Sequence, residues 1–590
     1  MTHPALAKNG IAAVRDFDAV VVGAGGAGLY AALECSAANR KTAVFSKVHP
    51  VRSHTGTAQG GIAAALGNVE ADKPEWHAFD TIKGGDYLVD QNAAFVLAEE
   101  AVRAVYDLEN RGLPFNRTAD GRIDQRRFGG HTRDFGEAPV CRACYSADRT
   151  GHMILQTLYQ QCVKNEVVFF NEFQLVDVLL DNKACGGIVA LELATGLLYV
   201  VRAKAVLVAT GGFGRMFATT SNALASTGDG PAVLARRGVP LEDMEFFQFH
   251  PTGIRGMGIL ITEAVRGEGG VIRNGKGERF MERYAPTLLD LAPRDMIARA
   301  MVTEIRAGRG VLGTGGADDF LNLDATRIGR DAVEAKLPDI ADFCRTYLGI
   351  DPATAPIPVQ PTAHYAMGGI STDLNGRVLD GATDAYEGLY AAGECACVSV
   401  HGANRLGTNS LVDLVVFGRR AGRHMAEYVK HCDLTPLHGD AATTARLELS
   451  KLFEGTGKDN AADIRERMRS IMMDKVGIFR TGKLMEEAVT ELAALRESIA
   501  SIRVSDRSSR FNTELLEALE LSNLLDLSLV TAVCASHRAE SRGGHAREDY
   551  PQRDDERFLN HTLAWLSGTK VRLGSKGVDT SRFAPKARTY

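Results

Sequence analysis

The stretch RSHTGTAQGG, residues 52–61, sets His54 among small and hydroxyl-bearing residues downstream of a glycine-rich turn, and the two together carry the chain's most legible chemistry. The turn lies in DAVVVGAGGAGLYAALECSAANRKTAVFSK, residues 18–47. A β-branched run over residues 20–22 passes through Gly23, Ala24, Gly25, Gly26, Ala27 and Gly28 into an alanine-rich segment of helical character. It emerges as a second strand over residues 42–45. In such a unit Gly23 permits a tight turn, Gly25 lets backbone approach a pyrophosphate, and Gly28 lets helix and strand pack closely. The phosphates then sit on the helix start, where unpaired N–H groups and the dipole favour anions. An NAD site usually has Asp or Glu near the end of the second strand for the ribose hydroxyls; Ser46 and Lys47 stand there instead, which argues against NAD.

Two further strand-then-glycine segments, AKAVLVATGGFGR (203–215) and GLYAAGE (388–394), imply one nucleotide domain interrupted by an insertion, an arrangement common in flavoproteins. Beyond about residue 430 the pattern changes: Leu484, Ala488, Leu492, Leu495 and Ile499 recur at helical spacing, and TELLEALELSNLLDLSLVTAVCASH is apolar enough for a buried helix. The segment ESRGGHAREDYPQRDD (540–555) reads, in isolation, as a solvated loop.

Composition bounds the rest. A net charge of −5 with 68 basic residues gives no reason to expect nucleic acid, so any anion site must be built locally. Hydrophobic content of 45% and charged content of 24% suit a soluble globular chain, and no apolar run approaches the roughly 20 residues that span a bilayer. The N-terminus carries no secretory or transit pattern, pointing to a bacterial cytoplasm. Ten scattered cysteines fit a reducing compartment; CRAC (141–144) has no second CxxC partner, so no metal site is expected in this chain.

Through Arg52, Ser53, His54, Thr55, Gln59, Gly60 and Gly61 the chain resembles the succinate dehydrogenase and fumarate reductase flavoprotein family, nearly end to end. The resemblance implies FAD bound covalently at His54 through the flavin 8α-methyl carbon, a bond expected to raise the flavin potential and make a reluctant hydride donor oxidisable. Further FAD contacts follow at Asp229, Glu394, Ser410 and Leu411. The implied substrate is succinate or fumarate, held by His250, Thr262, His364 and Arg405, since guanidinium binds carboxylate in a two-point fork. Arg294 matches the proton-transfer group, with Glu263 and Arg266 as its relay. Arginine's pKa exceeds about 12, so Arg294 is read as a shuttle in a dry, cation-crowded pocket rather than as a resting base. Thr408 stands where the family commonly has the second glycine of RLGGNSL.

The resemblance implies an α/β Rossmann-like FAD-binding domain (1–248 and 364–431) interrupted by an α+β capping domain (249–363), whose turns RGEGG and AGRGVLGTGG would let it hinge. An α-helical domain (432–545) and a small C-terminal domain (546–590) follow. It also implies an iron–sulfur subunit that takes the electrons and a membrane anchor, placing the chain on the cytoplasmic face of a bacterial inner membrane without a transmembrane segment of its own. Gln59 tilts the reading toward succinate oxidation, because the reductase branch typically carries glutamate there. His54 counts against L-aspartate oxidase, and the set His250, Thr262, Arg294, His364 and Arg405 counts against a non-enzymatic flavin-binding scaffold.

Overall fold

The computed structural model describes residues 3–6, 11–313, 318–381, 383–436, 439–455 and 457–588; the end of the second glycine-dense turn, 314–316, lies outside them. The strand Ile11–Val22 is central to an eight-stranded sheet. Its Ala19, Val20 and Val21 are fully buried, as expected of a parallel strand covered on both faces. Thr42–Ser46 pairs with it on one side and Leu198–Val208 on the other, both parallel, and Val168–Asn171 and Ala385–Ala391 continue the parallel core. Leu198–Val208 forks: its first half pairs antiparallel with Ala184–Glu192, and residues 206–208 run parallel to Ala385–Ala391. The three strand-then-glycine segments are thus neighbours, and their carboxyl ends meet along one edge, where ligands of open α/β sheets bind.

Helix Gly26–Ala37 lies against helix Asn409–Tyr428 with almost no space between backbones. A Cβ on Gly418 would meet the Ala27 carbonyl oxygen at 2.7 Å, and one on Gly422 the Ala31 carbonyl oxygen at 2.6 Å. That packing sets the start of the second helix, with Ser410 and Leu411, beside the glycine turn.

The insertion is built on an antiparallel sheet in which Phe247–Ile254 and Ile357–Ala366 pair with each other, Asp318–Asp324 pairs with the latter, and Val271–Arg273 closes the far side. Ile254, Ile272, Phe280, Met301, Leu321 and Leu323 fill its core. The expected boundaries after 248 and 363 both fall inside the first strand pair, so the chain enters and leaves the insertion through adjacent bonded strands.

In the helical region, Ala461–Lys475, Gly482–Ser498 and Thr513–His537 share the core cluster of the sheet's outer face. Thr513–His537 is 25 residues long, and an 18-residue stretch of it has mean hydropathy 1.5, the length and composition of a membrane-crossing helix. Because 83% of its apolar stretch is buried within the fold, it is a core helix.

The C-terminal region is continuous with the rest of the fold. The hairpin Asn560–Ser567/Lys570–Gly577 adds two strands to a sheet begun by Leu241–Glu242 and Gly369–Ser371. Buried ion pairs His561–Asp243 (2.6 Å) and Lys576–Glu242 (2.7 Å) cross that junction. Segment 540–555 is solvated in its second half, where residues 548–552 are exposed, but its first half is buried. Arg538, Glu540, Arg542 and His545 are at most 1% exposed, with Arg538 paired to Glu245 and Arg542 to Glu540, and the turn at Gly543 packs on Ala403.

Candidate active site

The glycine turn opens onto a cavity of about 590 Å³ at the carboxyl edge of the parallel strands. Gly23, Ala24, Gly25, Gly26 and Ala27 line it, as do Ser46, Lys47, Ser53, His54, Thr55, Gln59, Asp229, His364, Glu394, Ser410 and Leu411. Gly28, Gly60 and Gly61 do not. Their lack of a side chain serves packing: a Cβ on Gly28 would meet the Gly23 carbonyl oxygen at 2.0 Å, one on Gly60 Phe128 at 2.8 Å, and one on Gly61 the Cys144 carbonyl oxygen at 2.7 Å. Gly23 itself has φ +109°, with its missing Cβ 2.2 Å from the Ala209 carbonyl oxygen.

Two hydroxyls tie the His54 loop to the turn. Ser53 Oγ donates to the Ala24 carbonyl at 2.9 Å, and Thr55 Oγ1 accepts from the Gly26 N–H at 3.0 Å. Flanked by these anchors, His54 faces the cavity. Its Nδ1 accepts from the Ala223 N–H at 3.3 Å, which leaves Nε2 as the free ring nitrogen. Burial pushes its pKa down to about 4, so the imidazole is neutral.

Lys47 and Asp229 line the cavity but are committed to each other at 2.9 Å, with Lys47 also on Glu520 at 2.7 Å; the sequence did not reveal this triad. Glu394 accepts from the Ala366 N–H at 3.2 Å, and burial raises its pKa to about 7. The cavity wall fits a dinucleotide. Gly211, at φ +75°, faces it with nothing within 4 Å of where a side chain would stand, so backbone is bare to a ligand. Ile259, Leu260, Phe343 and Tyr347 of the insertion cover the cavity, and an Arg149–Asp339 ion pair of 2.7 Å joins the insertion to the rim.

The cationic residues gather where the paired strands cross into the insertion. His250 and His364 meet ring to ring at 5.1 Å and 70°. Bulges on both sides of His250, between Gln248 and Phe249 and between His250 and Gly253, re-aim its strand here. Arg294, at the start of helix Arg294–Arg306, donates from Nε to Glu263 Oε2 at 2.8 Å and from Nη1 to Gln248 Oε1 at 3.0 Å. Arg405 donates from Nη2 to the same Gln248 oxygen at 3.1 Å and stacks 4.4 Å over the Tyr365 ring. Arg266 Nη2 lies 3.5 Å from Glu263 Oε2, and Glu263 Oε1 accepts from the Gly129 N–H at 2.8 Å. Thr262 is buried beside them.

Gln248 was missed in the sequence, although it stands two residues before His250 in FQFHPTG, at the spacing that puts strand residues on one face. Its Nε2 also donates to Asn404 and to the Arg405 carbonyl, so one amide fixes both guanidiniums.

Electrostatically the cluster is cationic. Burial and the arginines hold His250 and His364 well below the usual histidine range, so both are neutral donors. Burial, then the Arg294 charge, lowers Arg405 to about 9. Burial would raise the Glu263 carboxyl, but Arg266, Arg294 and the Gly129 N–H outweigh it and hold it low. Three guanidiniums against one carboxylate leave two positive charges. His250 Nδ1 accepts from the Thr252 N–H at 3.2 Å, so its proton is on Nε2, a buried atom with no partner among the described residues, as is Arg405 Nε. Such atoms call for an anionic ligand with two charges.

Residues 18–411 match the FAD binding domain family and residues 465–590 the fumarate reductase flavoprotein C-terminal family. The chain is 48% identical over 589 residues to a succinate dehydrogenase flavoprotein subunit of Coxiella burnetii, covering 98% of this chain and 99% of that protein. It is 43% identical to a fumarate reductase flavoprotein subunit of Mycobacterium tuberculosis, covering 97% and 98%. Among solved structures, a chain of E. coli quinol fumarate reductase superposes with a TM-score of 0.91 at 38% identity, covering 97% of this chain and 98% of that one.

Proposed function

The chain belongs to the succinate dehydrogenase and fumarate reductase flavoprotein family, an FAD-dependent oxidoreductase family, and from its residues we infer that it oxidises succinate to fumarate over FAD held covalently at His54. One observation carries the reading: two neutral histidines, Arg294, Arg405 and the Glu263–Arg266 pair converge beside the cavity that His54 lines, with two uncompensated positive charges for a dicarboxylate.

When bound, the flavin accepts a hydride from the substrate. His54 would hold it through Nε2, the nitrogen that its hydrogen bond from Ala223 leaves free, with Ser53 and Thr55 keeping the loop in place. The turn from Gly23 to Ala27 takes the pyrophosphate, with Ser46, Asp229, Glu394, Ser410 and Leu411 around the remainder. Arg405, His364, His250 and Thr262 bind the two carboxylates. Arg294 receives the proton from the carbon next to the one that loses hydride, and passes a guanidinium proton along its 2.8 Å contact to Glu263. Closure of the insertion excludes water and strengthens each of these contacts.

Gln59 lines the cavity as a neutral amide, so no charge there lowers the flavin potential, which favours oxidation over fumarate reduction. By the family resemblance the electrons pass to a separate iron–sulfur subunit, and a membrane anchor holds the assembly at the cytoplasmic face of a bacterial inner membrane. The test is acid precipitation of the subunit from its native host. The expected result is flavin retained on a peptide containing His54; flavin released to the supernatant overturns the covalent assignment and reopens the aspartate oxidase reading.

A further inference from the structure

Arg405 is buried, and among the described residues its guanidinium meets only neutral acceptors. Nη2 donates to the Gln248 side-chain oxygen at 3.1 Å and Nη1 to the Leu406 carbonyl at 3.3 Å, while Nε has no partner there. Arg294, by contrast, has Glu263 at 2.8 Å. A buried cation with no counter-ion in contact is costly, so another group must steady the Arg405 charge. What lies against it is a ring face: the guanidinium carbon stands 4.4 Å over the centroid of the Tyr365 ring. Tyr365 is the cross-strand partner of Gln248, so the two side chains share a face of the strand pair and reach Arg405 together. The Tyr365 hydroxyl donates to Asp413 Oδ2 at 3.3 Å, on helix Asn409–Tyr428. His401 Nε2 lies 3.3 Å from the same hydroxyl and 3.4 Å from the same carboxylate oxygen. All three side chains are buried. Burial, then Asp413 and Glu394, hold the Tyr365 phenol well above its usual range, so it is a neutral donor.

Resting on the function proposed above, we propose that Tyr365 is a positioning residue for Arg405, and that Asp413 acts on Arg405 through the Tyr365 ring. A carboxylate bonded directly to the guanidinium would occupy the N–H edge that the substrate must take. An aromatic ring takes the flat face and leaves that edge open. By donating its hydroxyl proton to a hydrogen bond with Asp413, Tyr365 gains electron density in the ring, which strengthens the negative face presented to Arg405. The charge of Asp413 is thereby felt at Arg405 without competing for the donors of a dicarboxylate site. His401 holds Asp413 and the hydroxyl in register from the third side. With Gln248 fixing Nη2 and Tyr365 fixing the plane, the guanidinium is aimed before any substrate arrives.

The test is a double-mutant cycle on the intact complex, read as KM and kcat for succinate and normalised to bound flavin, because Tyr365 also lines the flavin cavity. Tyr365→Phe keeps the ring and loses the hydroxyl; Asp413→Asn keeps the shape and loses the charge. Each should raise KM about threefold with kcat within about twofold of wild type, and the double variant should match either single, because both cut the same link. Tyr365→Leu removes the ring face and should raise KM about tenfold or more. A loss of packing alone would lower Tm without this pattern in KM. A double variant near about ninefold, the product of two independent effects, overturns the role of the ring as intermediary. Wild-type KM in both single variants, or in Tyr365→Leu, overturns the proposal as well, as does a loss confined to kcat. Failure of the functional reading looks different: the unmodified complex then does not oxidise succinate.

Discussion

Gln248→Leu keeps the strand and nearly the volume but removes the oxygen that Arg294 and Arg405 share at 3.0 and 3.1 Å, along with the donor to Asn404 and to the Arg405 carbonyl. A hydrogen bond to a charged group is worth about 1.5–3 kcal/mol. With two such bonds lost and the guanidiniums free to re-pair with Glu263, about 3 kcal/mol of transition-state positioning should go, which is a fall of about 100-fold in kcat/KM. The loss should fall mainly on kcat, because Arg294 must meet the departing proton, with a smaller rise in KM from the loosened Arg405. Gln248 lies outside the flavin cavity lining, so flavin content should stay at the wild-type level. Gln248→Glu restores the acceptor but cancels one of the two positive charges, and should raise KM for the dicarboxylate more than it lowers kcat. Steady-state succinate oxidation with an artificial acceptor, normalised to bound flavin, reads both. A Gln248→Leu enzyme within threefold of wild type in kcat/KM would refute the claim that this amide sets the two arginines.

Other outcomes follow from single features. Thr408 sits at φ +66°, a left-handed conformation costly for a β-branched residue, so Thr408→Gly should stabilise the protein by about 1 kcal/mol in urea unfolding. Lys47→Met leaves the buried carboxylates of Asp229 and Glu520 without their cation and should cost about 3–5 kcal/mol, seen as a lower Tm. His561 is held at about 10, chiefly by Asp243 against the penalty of burial. Because its unfolded value is near 6.5, its contribution is complete below that pH and is lost as pH rises toward 10. Denaturant melts from pH 6.5 to 10 should show stability falling, and His561→Gln should flatten that slope.

Local features were readable from the sequence and distant pairings were not. The turn through Gly23, Gly25 and Gly28 is legible because each glycine answers a steric demand met within a few residues or by the adjacent strand. His54 was legible only as part of a family pattern; that Ser53 and Thr55 clamp it to the glycine turn required seeing two segments side by side. The Lys47–Asp229–Glu520 triad joins three elements separated by hundreds of residues, and nothing in the charge pattern near Lys47 announces it. For the same reason segment 540–555 looked wholly solvated: its turn at Gly543 packs on Ala403, and Arg553 pairs with Asp86, both far away in sequence. Helix Thr513–His537 was legible from its composition alone, which reads as a buried helix and is one.

The most direct test of the account is anaerobic mixing of the purified flavin-loaded complex with succinate while the oxidised flavin absorbance is followed, for wild type and Arg294→Gln. The account predicts prompt bleaching by succinate in the wild type, and bleaching slowed by at least about 100-fold in the variant with its flavin still bound. Equal bleaching rates in the two would remove Arg294 from the chemistry, and a wild-type flavin that succinate does not bleach would contradict the assignment of the site itself.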